Sequence, residues 1–320
     1  MTTRAVKLLF GIAVAATLGL ASAPADAQTK IRGGISVRFE GMLAVFAAQE
    51  KGYLKAENIE LETVDFKGGG PTVQAFAGNS IDICFCAADH AVRLRNRNIP
   101  TVVLYGLDDR HNYTLMGRVE NTPASGGLAA LKGKTLGMTS PGSMTDNTLR
   151  WAIEDRKLNP DTDYKLLSSG TGASMIAAID SGRVDAGMVV TTDRGFLMEK
   201  DKNAYRVIED FTSLPYAGFA ALVLESWVKA NPEAARGFIR ALDKATGDLK
   251  SDPSLGHKII KSMYPNFSDT LVDATVKSAV SRIPEKGQFT AAAVENLNKI
   301  MKGSDPDLKP ISVSDLLPKL

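Results

Sequence analysis

The hydrophobic pattern changes period repeatedly along the chain. Short β-rich runs alternate with longer stretches whose apolar residues recur at three- and four-residue spacing. IRGGISV (31–37) predicts a strand and GMLAVFAAQEKGYL (41–54) a helix. IELETVDF (59–66) alternates apolar and polar positions like a half-buried strand. PTVQAFAGN (71–79) begins with proline after three glycines, as a helix start should. IDICFCA is a third strand, HAVRLRNRN a third helix and TVVLYGL (101–107) a fourth strand.

The same grammar then restarts. YTLMGR (113–118) and KTLGMT (134–139) predict strands, and 143–158 an amphipathic helix; DYKLLSS, MIAAIDSGR, VDAGMVV and YRVIED (205–210) continue the alternation. AFAGNSIDICFCAAD (75–89) can be laid over AIDSGRVDAGMVVTTD (178–193): a short helix, an Asp opening a buried strand, and an Asp-bearing loop after it. That correspondence predicts a duplicated lobe rather than a short-period solenoid. GFAALVLESWV (218–228) is a further strand-like run. A long helix over 231–250 follows, with Asn231 as N-cap and Pro232 at its first position, and more helix near 270–281 and 291–301.

These elements predict an α/β protein of two lobes, each a mostly parallel sheet flanked by helices. A strand arriving after the second lobe implies that the chain returns to finish the first. The expected division is 28–111 with 216–320 for lobe 1 and 112–215 for lobe 2, joined by two hinge crossovers near 109–112 and 213–216.

The first 27 residues break this pattern. Arg4 and Lys7 precede an apolar run from Leu8 to Ala21, and Ala25-Asp26-Ala27 offers small residues at cleavage spacing. The run is short of the roughly 20 residues that span a bilayer. We read a signal peptide cleaved after Ala27, hence an exported, periplasmic protein that diffuses freely as a monomer. Removing that segment takes two basic groups and one acidic group from a net charge of +2. A nearly neutral chain lacks the basic excess that a nucleic-acid or membrane-surface partner calls for.

Ligands of open α/β sheets bind beyond the carboxyl ends of the strands, where helix N-termini point backbone N–H groups outward. The loops at those positions are polar and glycine-rich, and two such lobes can close on a ligand by hinge motion. In lobe 1 they supply Ser36, Arg38, Phe39 and Glu40; Gly69, Gly70, Pro71 and Thr72; and Ala88, Asp89 and His90. In lobe 2 they supply Ser140, Gly142 and Ser143; Gly170, Thr171 and Gly172; and Thr192 and Asp193. The glycines read either as close backbone approach to a ligand or as plain turn chemistry.

Arg38 reads two ways, as a two-point clasp on a carboxylate or sulfonate or as a salt bridge with Glu40. Arg194 and Lys67 are weaker candidates of the same kind. Phe39 and Tyr216 offer ring faces to a planar ligand or pack at the lobe junction. Cys84 and Cys86 stand at i and i+2 on a strand, with Cα atoms about 6.6 Å apart, so two buried free thiols are expected rather than a strained bridge.

Raw material for catalysis is sparse. The three histidines, His90, His111 and His257, have no metal-ligand spacing, and no G-x-S-x-G elbow or phosphate-binding loop occurs. Neither an enzyme nor a metal site is expected.

The order of EKGYLKAENIELE (50–62), GGGPTVQAFAGNSIDI (68–83), LKGKTLGM (131–138), AIDSGRVDAGMV (178–189) and WVKANPEAARGFIRAL (227–242) resembles a known family. It is that of the substrate-binding proteins of nitrate, sulfonate, taurine and thiamine-pyrimidine-precursor importers, with the type II periplasmic-binding-protein fold. The resemblance implies ligand capture between the lobes, ABC permease and ATPase partners, and no cofactor. It implies cleft-lining residues within 36–40, 68–72, 87–90, 140–145, 170–173 and 191–193. Together with Arg38 it points to a small organic anion, a sulfonate or carboxylate. The alternatives are a thiamine-pyrimidine precursor, a sensory input role for the same cleft, and an enzyme of the thiamine-pyrimidine-synthase type. The cysteines in IDICFCAAD and the charged pair in SVRFEG depart from the family pattern.

Overall fold

A computed structural model describes residues 28–320; the leader expected over residues 1–27 lies outside the described residues. The first lobe opens with β1 (Thr29–Ile35), a 3-10 turn at Glu40–Met42, α1 (Leu43–Glu50), α2 (Tyr53–Ala56) and β2 (Ile59–Asp65). The helix expected over 41–54 is interrupted because Gly52 adopts φ +69°, a left-handed conformation that glycine takes at little steric cost. Next come α3 (Gly69–Ala77), β3 (Ile83–Ala87), α4 (Asp89–Asn96) and β4 (Thr101–Gly106).

The second lobe holds β5 (Tyr113–Arg118), β6 (Thr135–Met138), α5 (Met144–Asp155), β7 (Lys165–Ser168), α6 (Ala173–Asp180), β8 (Ala186–Val190), α7 (Thr191–Asp201) and β9 (Tyr205–Asp210). The chain then returns through β10 (Phe219–Leu224), α8 (Glu225–Ala230), α9 (Pro232–Ser251), α10 (Pro253–Met263), α11 (Asp269–Arg282), α12 (Ala291–Ser304) and α13 (Val313–Leu316). The run expected as one strand over 218–228 therefore divides into β10 and α8. Asn231 precedes α9 but makes no side-chain cap there; its Nδ2 donates back to the Trp227 carbonyl at 3.0 Å.

The two sheets share one topology. Their orders are β2-β1-β3-β10-β4 and β7-β6-β8-β5-β9. In each, four strands run one way and the fourth in order, β10 or β5, runs against them. The duplicated stretches of the sequence fall on α3–β3–α4 and α6–β8–α7, in matching places. β3 and β8 are central and covered on both faces, and all five residues of each are buried.

Two antiparallel segments link the lobes. Arg110 bridges Pro215, His111 N–H donates to the Leu214 carbonyl at 3.0 Å, and Tyr216 N–H donates to that of Asp109 at 3.2 Å. His111 packs its ring against Phe211 and Tyr216, each at 5.3 Å between centroids, and its Nε2 lies 2.8 Å from Thr148 Oγ1. Its Nδ1 accepts from Tyr113 N–H, so Nε2 carries the proton and donates. α12 lies against α5, with Lys299 over the Trp151 ring.

The cysteine expectation is corrected. Cys84 and Cys86 are joined as a disulfide, with Cα atoms 5.5 Å apart rather than the fully extended spacing, because β3 is locally compressed.

Candidate functional site

Helices α3 to α7 all begin where a strand ends, and their first turns converge between the lobes. Side-chain contacts cross the gap at the strand tips. Gly70 N–H donates to Ser140 Oγ at 3.2 Å, Asn147 Nδ2 donates to Asp89 Oδ2 at 2.6 Å, and Thr192 Oγ1 donates to Glu40 Oε2. Asn147 Oδ1 also accepts from Arg93 and from Ser304 Oγ, so one amide gathers α4, α5 and α12.

At one end of this cleft is a small cavity of about 20 Å³. Ser36, Val37, Gly69, Ala87, His90 and Phe219 line it from the first lobe, and Tyr113, Thr139, Ser143, Met144 and Thr145 from the second. Thr139, Ser143 and Thr145 form a hydroxyl cluster with oxygens 2.8–3.0 Å apart. His90 Nε2 stands over Gly69, where a Cβ would come within 2.3 Å of it. Burial pushes His90 below its ordinary pKa, so the ring is a neutral hydrogen-bonding group there.

At the other end a larger cavity, about 270 Å³, is lined by Ala173, Ile176, Asp193 and Phe196 of lobe 2 and by Met263 to Phe267 of lobe 1. Between the two ends sits a buried charge cluster. Arg282 Nη2 lies 3.1 Å from Glu40 Oε1 and its Nε 3.2 Å from Asp108 Oδ2. Burial pushes the Asp108 carboxyl up to about 6 against the pull of Arg282. It pushes Asp193 up to about 7, with the Glu40 carboxylate adding to the shift.

The structure brings Ser36, Gly69, His90 and Ser143 to the first cavity and Asp193 to the second, with Gly70, Asp89, Glu40, Ser140 and Thr192 in the bridges between lobes. Other expected residues are placed elsewhere. The Arg38 guanidinium pairs with Asp65 at 3.0 Å and lies over the Phe46 ring; it does not pair with Glu40, which is buried and turned to Arg282. Phe39 packs edge-on to Phe219, and Tyr216 is wholly buried against His111. Thr72 donates to the Gly68 carbonyl, Ala88 N–H donates to that of Gly218, and Gly142 N–H donates to Asp146. Pro71 is exposed. Gly170, Thr171 and Gly172 turn from β7 into α6 and line neither cavity. Arg194 is held by Asp210, and Lys67 is exposed.

Sequence reasoning missed Tyr113, Phe219, Asn147 and the aromatic pair Tyr264 and Phe267. The first two sit inside β-strand patterns that read as core. The polar and aromatic mixture SMYPNF (262–267) reads as a loop between helices.

Comparison with known proteins places this arrangement. The sequence model described as NMT1/THI5 like matches residues 41–255. The chain belongs to that family. Among solved structures, a protein of Bordetella bronchiseptica RB50 superposes with a TM-score of 0.78 at 20% identity, covering 91% of this chain and 95% of that one. The alkanesulfonate-binding protein SsuA of Xanthomonas axonopodis pv. citri, bound to MOPS, superposes at 0.71 with 17% identity, covering 89% and 96%. Another NMT1/THI5-like relative, the Saccharomyces cerevisiae 4-amino-5-hydroxymethyl-2-methylpyrimidine phosphate synthase THI12, is 21% identical over 242 residues, 72% of this chain and 69% of that one. The likeness to the solved structures establishes the fold, a two-lobed periplasmic-binding-protein architecture.

Among the described residues, no group of acidic, histidine and cysteine side chains is placed to hold a metal ion, and no helix is long and apolar enough to cross a membrane.

Proposed function

We propose that this protein is an exported solute-binding protein that closes on a small molecule between its lobes and hands it to an ABC importer. The observation that carries the reading is the set of paired contacts at the strand tips, Gly70–Ser140, Asp89–Asn147 and Glu40–Thr192. Each joins a helix or turn of one lobe to a helix or loop of the other, and a hinge ribbon at 109–112 and 214–216 lets them part. We take the lobe boundaries to fall within that ribbon.

The anionic ligand suggested by Arg38 loses its carrier, because that guanidinium is committed to Asp65. A sensory role uses the same closure and differs only in the receptor that reads it. Relatives named as synthases raise a catalytic reading, but no hydrogen bond joins His90 to the hydroxyls that share its cavity among the described residues, and Cys84 and Cys86 are paired with each other. We read the cleft as a binding site.

The test is thermal-shift screening of the purified protein against a broad solute library, followed by small-angle scattering of any hit. A ligand that binds only the folded state raises the melting temperature, and here it must also shrink the radius of gyration. A hit that is turned over rather than released unchanged would overturn the binding role. A radius that stays constant would overturn closure.

A further inference from the structure

The larger cavity is lined by a carboxyl group with no cationic partner among the described residues. Asp193 is 9% exposed and its side chain makes no hydrogen bond or ion pair among the described residues, yet it lines a cavity of about 270 Å³. The nearby cations are all committed. Arg38 is on Asp65, Arg194 on Asp210, Lys261 on Asp269, and Arg282 is shared between Glu40 and Asp108. The buried group of Glu40, Asp108 and Asp193 therefore sets three carboxylates against one guanidinium.

The walls are aromatic. Tyr264 and Phe267 stack at 4.6 Å and 9°, and Phe196 stacks on Phe267 at 5.7 Å and 16°. Ring faces beside a desolvated carboxylate favour a cation on both counts: the ring quadrupole attracts it, and the carboxylate is neutralised by it. An anion placed there would lose its hydration and meet like charge.

Resting on the reading of this cleft as a ligand site, we propose that the compartment takes the amine-bearing end of a small, flat solute. A protonated or hydrogen-bond-donating nitrogen meets Asp193, and an apolar or aromatic body lies against Tyr264, Phe267 and Phe196. The smaller cavity, with its hydroxyl cluster and neutral His90, takes the solute's polar remainder.

The experiment uses the purified protein and a panel of aryl and heteroaryl amines, each matched with a carboxylate and a sulfonate on the same body. Binding is read by titration calorimetry at pH 8 and by scattering. The expected result is that amines bind at least tenfold tighter than their matched anions. Asp193→Asn should lose at least tenfold for the amines while remaining folded, and Tyr264→Leu should weaken the same ligands. Anions that bind as tightly as their matched amines, or amine affinity unchanged in Asp193→Asn and Tyr264→Leu, would overturn the amine assignment. If such anions also compact the molecule, solute binding stands and only the assignment falls. If no member of either charge binds or compacts the protein, both fall together.

Discussion

Asn147 of the second lobe donates a hydrogen bond to Asp89 of the first at 2.6 Å, and both side chains are fully buried. The other Asp89 oxygen, Oδ1, has no hydrogen-bond partner among the described residues, so this amide carries the carboxylate's satisfaction. In the proposed open form, water reaches Asp89 instead. Removing the amide therefore penalises the closed state alone, by about 1–3 kcal/mol for an unsatisfied buried acceptor. Asn147→Ala should weaken ligand affinity about tenfold or more and enlarge the ligand-free radius of gyration. Equal radii for variant and parent would show that the contact does not hold the lobes.

Arg282 is 6% exposed and serves both Glu40 and Asp108. Its loss would leave two buried carboxylates without a cation, a type of change that costs about 3–5 kcal/mol. Arg282→Ala should lower the melting temperature by roughly 5–10 °C. Adding Glu40→Gln and Asp108→Asn to that variant should restore much of the loss. A single variant that melts with the parent would remove Arg282 from the list of structural charges.

His111 gives the protein an acid limit. Burial holds its ring down to about 3, against the ordinary value of about 6.5. The stability this contributes is complete above about pH 6.5 and is lost as pH falls toward 3, because the unfolded chain takes up the proton first. Asp108, raised to about 6, acts in the opposite sense over part of that range. The comparison that isolates His111 is therefore His111→Gln against parent, with melting temperatures measured from pH 7 to pH 4. The parent should fall more steeply, and parallel curves would contradict this.

Asp193 carries the reverse sign. Its carboxyl titrates near 7 when folded, so the folded state binds a proton that the unfolded chain has released between about pH 4 and 7. The resulting stability is present below about pH 4 and lost as pH rises through 7. Glu40 and the hydroxyls of Tyr113 and Tyr264 are the titratable groups around it, and neither tyrosine ionises in this range, since burial raises both. Asp193→Asn should raise the melting temperature at pH 8 and change it little at pH 4. Affinity for a cationic ligand should grow between pH 6 and 8 in the parent and stay flat in the variant.

Much of the fold could be read from the chain because the features that specify it are local and repeated. Buried strands such as 83–87 and 186–190 announce themselves as short apolar runs, and the matching stretches around them expose the duplication. Loops at strand tips were found for the same reason. What escaped depends on direction and distance. Nothing in SVRFEG tells that Arg38 turns outward to Asp65 while Glu40, two residues on, turns inward to an arginine 242 positions away. The helix over 191–201 is hidden by its polar first turn, Thr191-Thr192-Asp193-Arg194, which reads as a loop. The aromatic wall joins residues from α7 and from the turn after α10, which only the folded chain brings together.

The antiparallel strand 219–224 lies between β3 and β4, which never touch. The first lobe thus remains an unfinished sheet until the ribosome has passed the whole second lobe and delivered those six residues. Until then β3 and β4 stand as separate pieces with an open seam between them, so completion of the first sheet waits on synthesis of the second.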